Sequence, residues 1–308
     1  MASKAKREQQ SLRRRSRGAR LAMWAALMAG VAGIVVYILM AGGSGDGGSG
    51  PASRFAPIHT FDTADYHSLA FSPADESVVY FGHHNGLQVS EDGGESWATA
   101  VDEGNWDAMN FVFDPLSPET AYMSGHGIFE QSDDGGETWE AVSSNLPGLD
   151  LHTLAVSPNV EGRLYAVPVG FGLYVSDDGG EVWRLLSDAP AGTAAIQELP
   201  DGTLLLGAVD AGILRSEDGG KTWTQSRSGI ETGVIFTIRA DPQAQRVYAG
   251  TNRGLFVSAD GGNTWNQTAL DDTLVLVVGV NPSNPLEVMA INGQGQLYRS
   301  RDGGATWG

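Results

Sequence analysis

Most of the apolar positions in this chain fall in short runs that stop at a proline, a glycine or an acidic turn. The first run of each group ends in proline: HSLAFSP at 67–73, MNFVFDP at 109–115, HTLAVSP at 152–158, AAIQELP at 194–200, FTIRADP at 236–242 and LVVGVNP at 276–282. A second run follows each, centred in turn on Tyr80, Tyr122, Tyr165, Leu205, Tyr248 and Met289. A turn and a third run come next (GLQVS, GLYVS, GILRS, GLFVS), and a fourth run begins at a tryptophan. Short β-rich runs bounded by Gly, Pro, Asn and Asp predict antiparallel strands. Four strands repeated six times predict an all-β, six-bladed β-propeller of four-stranded antiparallel blades over residues 54–308. The last blade has only Gly308 after its tryptophan, so RFAPIHT at 54–60 is expected to supply its missing strand and close the ring.

Between the third and fourth runs lies one phrase: SEDGGESW at 90–97, SDDGGETW at 132–139, SDDGGEVW at 176–183, SEDGGKTW at 216–223, SADGGNTW at 258–265 and SRDGGATW at 300–307. Its aspartates, Asp92, Asp134, Asp178, Asp218, Asp260 and Asp302, recur at intervals of 42, 44, 40, 42 and 42 residues. A fixed period in this range signals a repeat architecture. Physically the phrase reads as a locked hairpin. Two glycines supply angles closed to other residues, and Asp and Ser bond the turn's own amides. The tryptophans Trp97, Trp139, Trp183, Trp223, Trp265 and Trp307 are large enough to pack between units. The phrase resembles the Asp-box (BNR repeat) of sialidase-like and sortilin-like β-propellers, in which the box is structural.

Ahead of the repeats, residues 1–20 carry eight Lys or Arg and one acid, and residues 21–40 carry no charge. Twenty apolar residues at about 1.5 Å each match a bilayer core of roughly 30 Å. One transmembrane helix is therefore expected at 21–40, with 1–20 cytoplasmic by the positive-inside rule and the propeller outside the cytoplasm. The alternative is a cleaved signal peptide, which the small residues at 41–43 permit. Residues 41–53 read as a Gly/Ser tether. From residue 51 onward the chain holds 35 acids against 11 bases. So acidic a domain repels nucleic acid and anionic lipid. The expected partners are the membrane, through the N-terminal helix, and a protein or carbohydrate ligand. The chain has no cysteine, which removes disulfides, thiol chemistry and a lipoprotein anchor.

All six histidines lie in the first half. His67, Met109 and His152 begin the first strands of three successive blades, and His84 and His126 occupy equivalent turns after the second strands. Antiparallel order puts both sets on one rim, opposite the boxes. His67, His84, His126 and His152 are thus candidate metal ligands, with His83, Met109 and Asp150 as auxiliaries. Imidazole suits Zn or Cu, and a nearby thioether favours Cu(I). The alternative is that each histidine is a polar lining residue; His59, in the closing segment, takes that reading. DYHSLAFSP, YFGHHNGL, NWDAM, SGHG and NLPGLDLH are also similar to stretches of a bacterial Asp-box propeller group labelled glycosylhydrolase or sialidase-like. On that resemblance the matching positions are His67, His83, His84, Trp106, Asp107, Met109, His126, Asp150 and His152.

The functional expectation is a membrane-tethered, extracytoplasmic binding module holding a transition metal or small polar ligand at the rim of blades 1–3. The alternative is a glycoside hydrolase using Asp107, Asp150 or Asp210, which would need two carboxylates about 5–9.5 Å apart. A sialidase needs three convergent arginines. No Arg-Ile-Pro occurs, and of the arginines only Arg253, with Arg227 as a second candidate, falls on the rim.

Overall fold

The computed structural model describes residues 54–308, apart from Ala64, 102–105, 189–191, 209–210, Arg227, 231–232, Ala244 and Asp272. The expected helix at 21–40 and the tether lie outside the described residues, as does Asp210. Among the described residues no helix is long and apolar enough to cross a membrane.

The short runs fold into six sheets of four antiparallel strands each. Blades 1 to 5 take their strands in chain order. The inner strands are Ser68–Phe71, Asn110–Asp114, Leu151–Val156, Thr193–Glu198, Ile235–Ala240 and Val275–Val280. Each inner strand packs beside the next, and that of blade 6 packs beside that of blade 1, so the ring is closed. Closure uses the expected segment, though only His59–Thr60 is strand. His59 pairs with Leu297 and Thr60 with Gln296 on the third strand of blade 6. Further along that same strand, Arg299 exchanges backbone hydrogen bonds of 2.9 and 3.2 Å with Gly308. The outer position of blade 6 is thus filled from both sides, which leaves no open sheet edge between its two contributing segments.

The apolar core is divided into six clusters, one at each blade-to-blade interface. Each box tryptophan joins the cluster between its own blade and the preceding one. Trp183, for example, packs with Tyr122, Phe129, Leu154 and Leu164. The box itself is a local hydrogen-bonded knot. In blade 2, Ser132 Oγ donates to Asp134 Oδ1 at 2.8 Å and accepts from the Gly136 amide at 2.8 Å. Asp134 Oδ1 also accepts from the amides of Glu137 and Thr138 at 3.0 and 2.8 Å. Trp139 Nε1 closes the turn on the Gly136 carbonyl at 3.1 Å. The two glycines have φ of 76° and 99°, angles that only glycine adopts without strain. The Thr138 hydroxyl donates to Asp134 Oδ2, and this bond first, with the amide bonds after it, holds the Asp134 carboxyl down to about 2.

Candidate metal centre on the histidine rim

Three backbone devices bring the rim side chains together. In blade 1 the second strand, Val79–His83, turns into Gly86–Ser90 with His83 paired to Gly86, so His84 is thrust out at the hairpin tip. In blade 2 the chain arriving from the fourth strand runs along the turn that carries His126. The Leu151 amide donates to the Gly125 carbonyl at 3.1 Å and the Gly127 amide to Leu149 at 2.8 Å. This sets His126 beside Asp150 in an isolated bridge. The blade 1 counterpart is the Ala108 amide on the His83 carbonyl at 3.2 Å, which delivers Asp107 next to His84. Finally, the register of blade 3's inner strand shifts between Leu151 and Leu154. Such a bulge re-aims a side chain, here that of His152.

The outcome is a chain of carboxylates and imidazoles. Asp107, whose side chain is 10% exposed, lies between two rings. His126 Nδ1 donates to its Oδ2. His84 Nδ1 is 2.7 Å from its Oδ1, a contact off the line of a hydrogen bond. Beyond the ring, His126 Nε2 lies 3.0 Å from His152 Nε2 and 3.6 Å from Asp150 Oδ1. His152 Nε2 lies 2.9 Å from that same oxygen. The two Nε2 atoms are in hydrogen-bond geometry with each other, while Asp150 Oδ1 has no aligned hydrogen bond. On the other side His84 Nε2 is 3.4 Å from Asp65 Oδ2. The His67 and His84 rings meet edge-on with centroids 4.7 Å apart.

At His67 and His152 burial favours neutral imidazole, the metal-binding form. Burial, then the neighbouring His84, pushes His67 down to about 4. Burial lowers His152 as well, against the pull of Asp150. The outer members remain reachable from solvent, with side-chain exposures of 44% for His126 and 36% for Asp150.

The sequence-derived candidates therefore separate. His67, His84, His126, His152 and Asp150 converge, and Asp107 sits at their centre. His83 turns the other way: it stacks on Phe81 at 5.5 Å, and its Nδ1 accepts the Asn85 amide at 3.2 Å. Met109 is half-buried, and its amide donates to the Asp107 carbonyl at 2.9 Å. Asp65 was missed. The signal lay in spacing: Asp65-x-His67 and Asp150-x-His152 are the same phrase at the same place in two blades, with Asp107-x-Met109 between them. Arg239 was missed too. It lies on the inner strand of blade 5 and lines a cavity of about 400 Å³ toward the opposite, proline-bearing rim, whose lining includes none of the histidines. Burial pushes its guanidinium down to about 10.

Six locked boxes in a closed six-bladed ring make this chain an Asp-box β-propeller. Residues 211–308 match the Sortilin-Vps10 family, described as "Sortilin, neurotensin receptor 3". No curated protein matches the chain in sequence. Among solved structures it is similar to the GH74 xyloglucanase from Xanthomonas campestris, with a TM-score of 0.61 and 18% identity over 83% of the chain. The chain spans 46% of that enzyme's length. It is also similar to YCF48 from Cyanidioschyzon merolae, with a TM-score of 0.53 and 21% identity over 82% of this chain and 87% of that one. A putative gluconolactonase has a TM-score of 0.64 at 13% identity, over 81% and 92%. At these identities the likeness is one of fold.

Proposed function

We propose that this chain is a membrane-tethered, extracytoplasmic binding propeller that holds a divalent transition-metal ion on His126, His152 and Asp150, leaving open coordination positions for a small polar ligand. One observation carries the reading: the triangle of His126 Nε2, His152 Nε2 and Asp150 Oδ1 has edges of 3.0, 2.9 and 3.6 Å. A tetrahedral ion with bonds near 2.0–2.1 Å needs ligand atoms about 3.3 Å apart. Asp107 on His126 Nδ1 supports it, since a ligating imidazole is normally steadied by a carboxylate on its other nitrogen. Two imidazoles and one carboxylate suit Zn(II) or Cu(II).

The test is metal content by mass spectrometry on the full chain, purified without a histidine tag and loaded with Zn(II) or Cu(II). Stoichiometric metal that disappears in His126→Ala/His152→Ala is the expected result. No metal in the wild-type chain overturns the reading. The glycoside-hydrolase alternative rests on Asp107, Asp150 and Asp210; the first two face imidazoles, and Asp210 lies outside the described residues. Hydrolysis of a β-glucan by the metal-free protein, lost in Asp150→Asn, would favour it instead.

A further inference from the structure

We propose that the same rim holds a second, separate cation position built from Asp65, His67 and His84, and that Asp107 is the positioning residue shared by both. This rests on the metal reading above and extends it to a two-site rim.

The two halves share a side-chain set but differ in blade relation: Asp65-x-His67 meets His84 of its own blade, whereas Asp150-x-His152 meets His126 of the preceding blade. Asp65-x-His67 opens the inner strand of blade 1 as Asp150-x-His152 opens that of blade 3. Each meets a histidine from a turn after a second strand, His84 in one case and His126 in the other. The ring geometry repeats as well. His67 and His84 meet edge-on at 4.7 Å and 75°, and His152 and His126 at 4.9 Å and 84°. In both halves the turn histidine's Nε2 faces the Asp-x-His carboxylate, at 3.4 Å for Asp65 and 3.6 Å for Asp150. The ligand atoms of Asp65, His67 and His84 all lie within 4.8 Å of one another.

Two further observations point to a ligand there. His67 Nε2 is buried and has no hydrogen-bond partner. A buried imidazole nitrogen left in that state is costly unless something binds it. Asp107, meanwhile, meets both turn histidines through Nδ1, one on each oxygen. One carboxylate thereby favours the Nδ1–H tautomer of two rings and turns both Nε2 lone pairs away from itself, toward different ligand sets. His126 is held by an aligned hydrogen bond and His84 by a contact off that line. The His84 position is therefore the weaker of the two.

The decisive experiment is equilibrium dialysis of the tag-free full chain against Zn(II), repeated with Co(II), whose visible spectrum reports imidazole ligation. Two equivalents are expected in the wild type. His84→Asn, and separately Asp65→Asn, should remove the weaker equivalent and leave the tighter one. His126→Asn should remove the tighter one and leave the weaker. Asp107→Asn should weaken both by roughly 10–100-fold, with the thermal melting curve of the metal-free protein little changed. A single equivalent, unaffected by His84→Asn and Asp65→Asn, overturns the second site while leaving the first intact. No equivalents at all would sink both. Loss of only one equivalent's affinity in Asp107→Asn would overturn the shared positioning role.

Discussion

The two rims of this propeller use aspartate in opposite ways. On the box rim all six aspartates take hydrogen bonds from their own turn, from residues two to four positions away. On the histidine rim Asp107 bonds to His126, nineteen residues on, and contacts His84 from another blade. A carboxylate satisfied by its own turn has nothing left to offer a ligand. One whose neighbours are an imidazole of its own blade and one of the preceding blade is part of an assembly that only the folded ring creates. The box rim is thus built for stability and repeated in every blade, whereas the histidine rim is confined to blades 1–3.

That division can be broken at either end. The largest effect is expected from Trp183→Ala on the box side. Trp183 is buried between blades 2 and 3, and its Nε1 donates to the Gly180 carbonyl at 2.6 Å. Its removal should cost about 3–5 kcal/mol in urea unfolding. Metal stoichiometry of the folded fraction should stay unchanged, and lost metal would show that the rims are not independent.

A smaller effect with the reverse signature is expected from Gly125→Ala. A Cβ there would lie 1.7 Å from the Asp107 carbonyl oxygen, so the Asp107 backbone must shift. The stability loss should be roughly 1–3 kcal/mol. Metal affinity should fall more than about tenfold, because a ligand-supporting carboxylate has moved. Unchanged affinity would remove Asp107 from the site.

The smallest effect sharpens the comparison through pH. Hydrogen bonding, chiefly from Thr138 and Thr306, holds the Asp134 and Asp302 carboxyls down to about 2, against 3.8 unfolded. Their contribution is therefore complete above 3.8 and is lost as the pH falls toward about 2. Tryptophan fluorescence of the metal-free chain should show the box contribution declining in that window, after an earlier decline between about 6.5 and 4 as buried His67 resists protonation. Metal release should come at higher pH, where protons first compete for the imidazoles. Coincident transitions would contradict the separation.

Much of the fold was legible because the repeat encodes it locally. Ser132 to Trp139 contains most of the partners its turn uses, with the Gly135 amide reaching out to the Glu119 carbonyl, so eight residues announce a hairpin with little reference to the rest of the chain. The closing segment was legible from the strand missing in blade 6, though it pairs over only two residues. The rim was legible in part, because blade equivalence placed His84, His126 and His152 together. His83 shows where that logic stops. It adjoins His84 in sequence, yet strand pairing ends between them, so one ring stacks on Phe81 while the other reaches Asp107. Asp65 carried its signal in the repeated Asp-x-His spacing, while Arg239 had none that separates a cavity-lining arginine from a surface one.

The sequence by itself determined the number of blades, the chemistry of their turns and the rim on which the histidines collect, since periodicity and i-to-i+4 hydrogen bonding are properties of contiguous residues. Only the tertiary structure decided that Asp107 stands between two imidazoles, that His126 and His152 meet at 3.0 Å, and that Asp65 turns toward His84. The His84–Asp107 and His126–His152 contacts join neighbouring blades, and Asp107–His126 and Asp65–His84 join the start of a blade to a turn nineteen residues further on. Ring closure and strand pairing set these distances, and neither is written in a contiguous stretch of sequence.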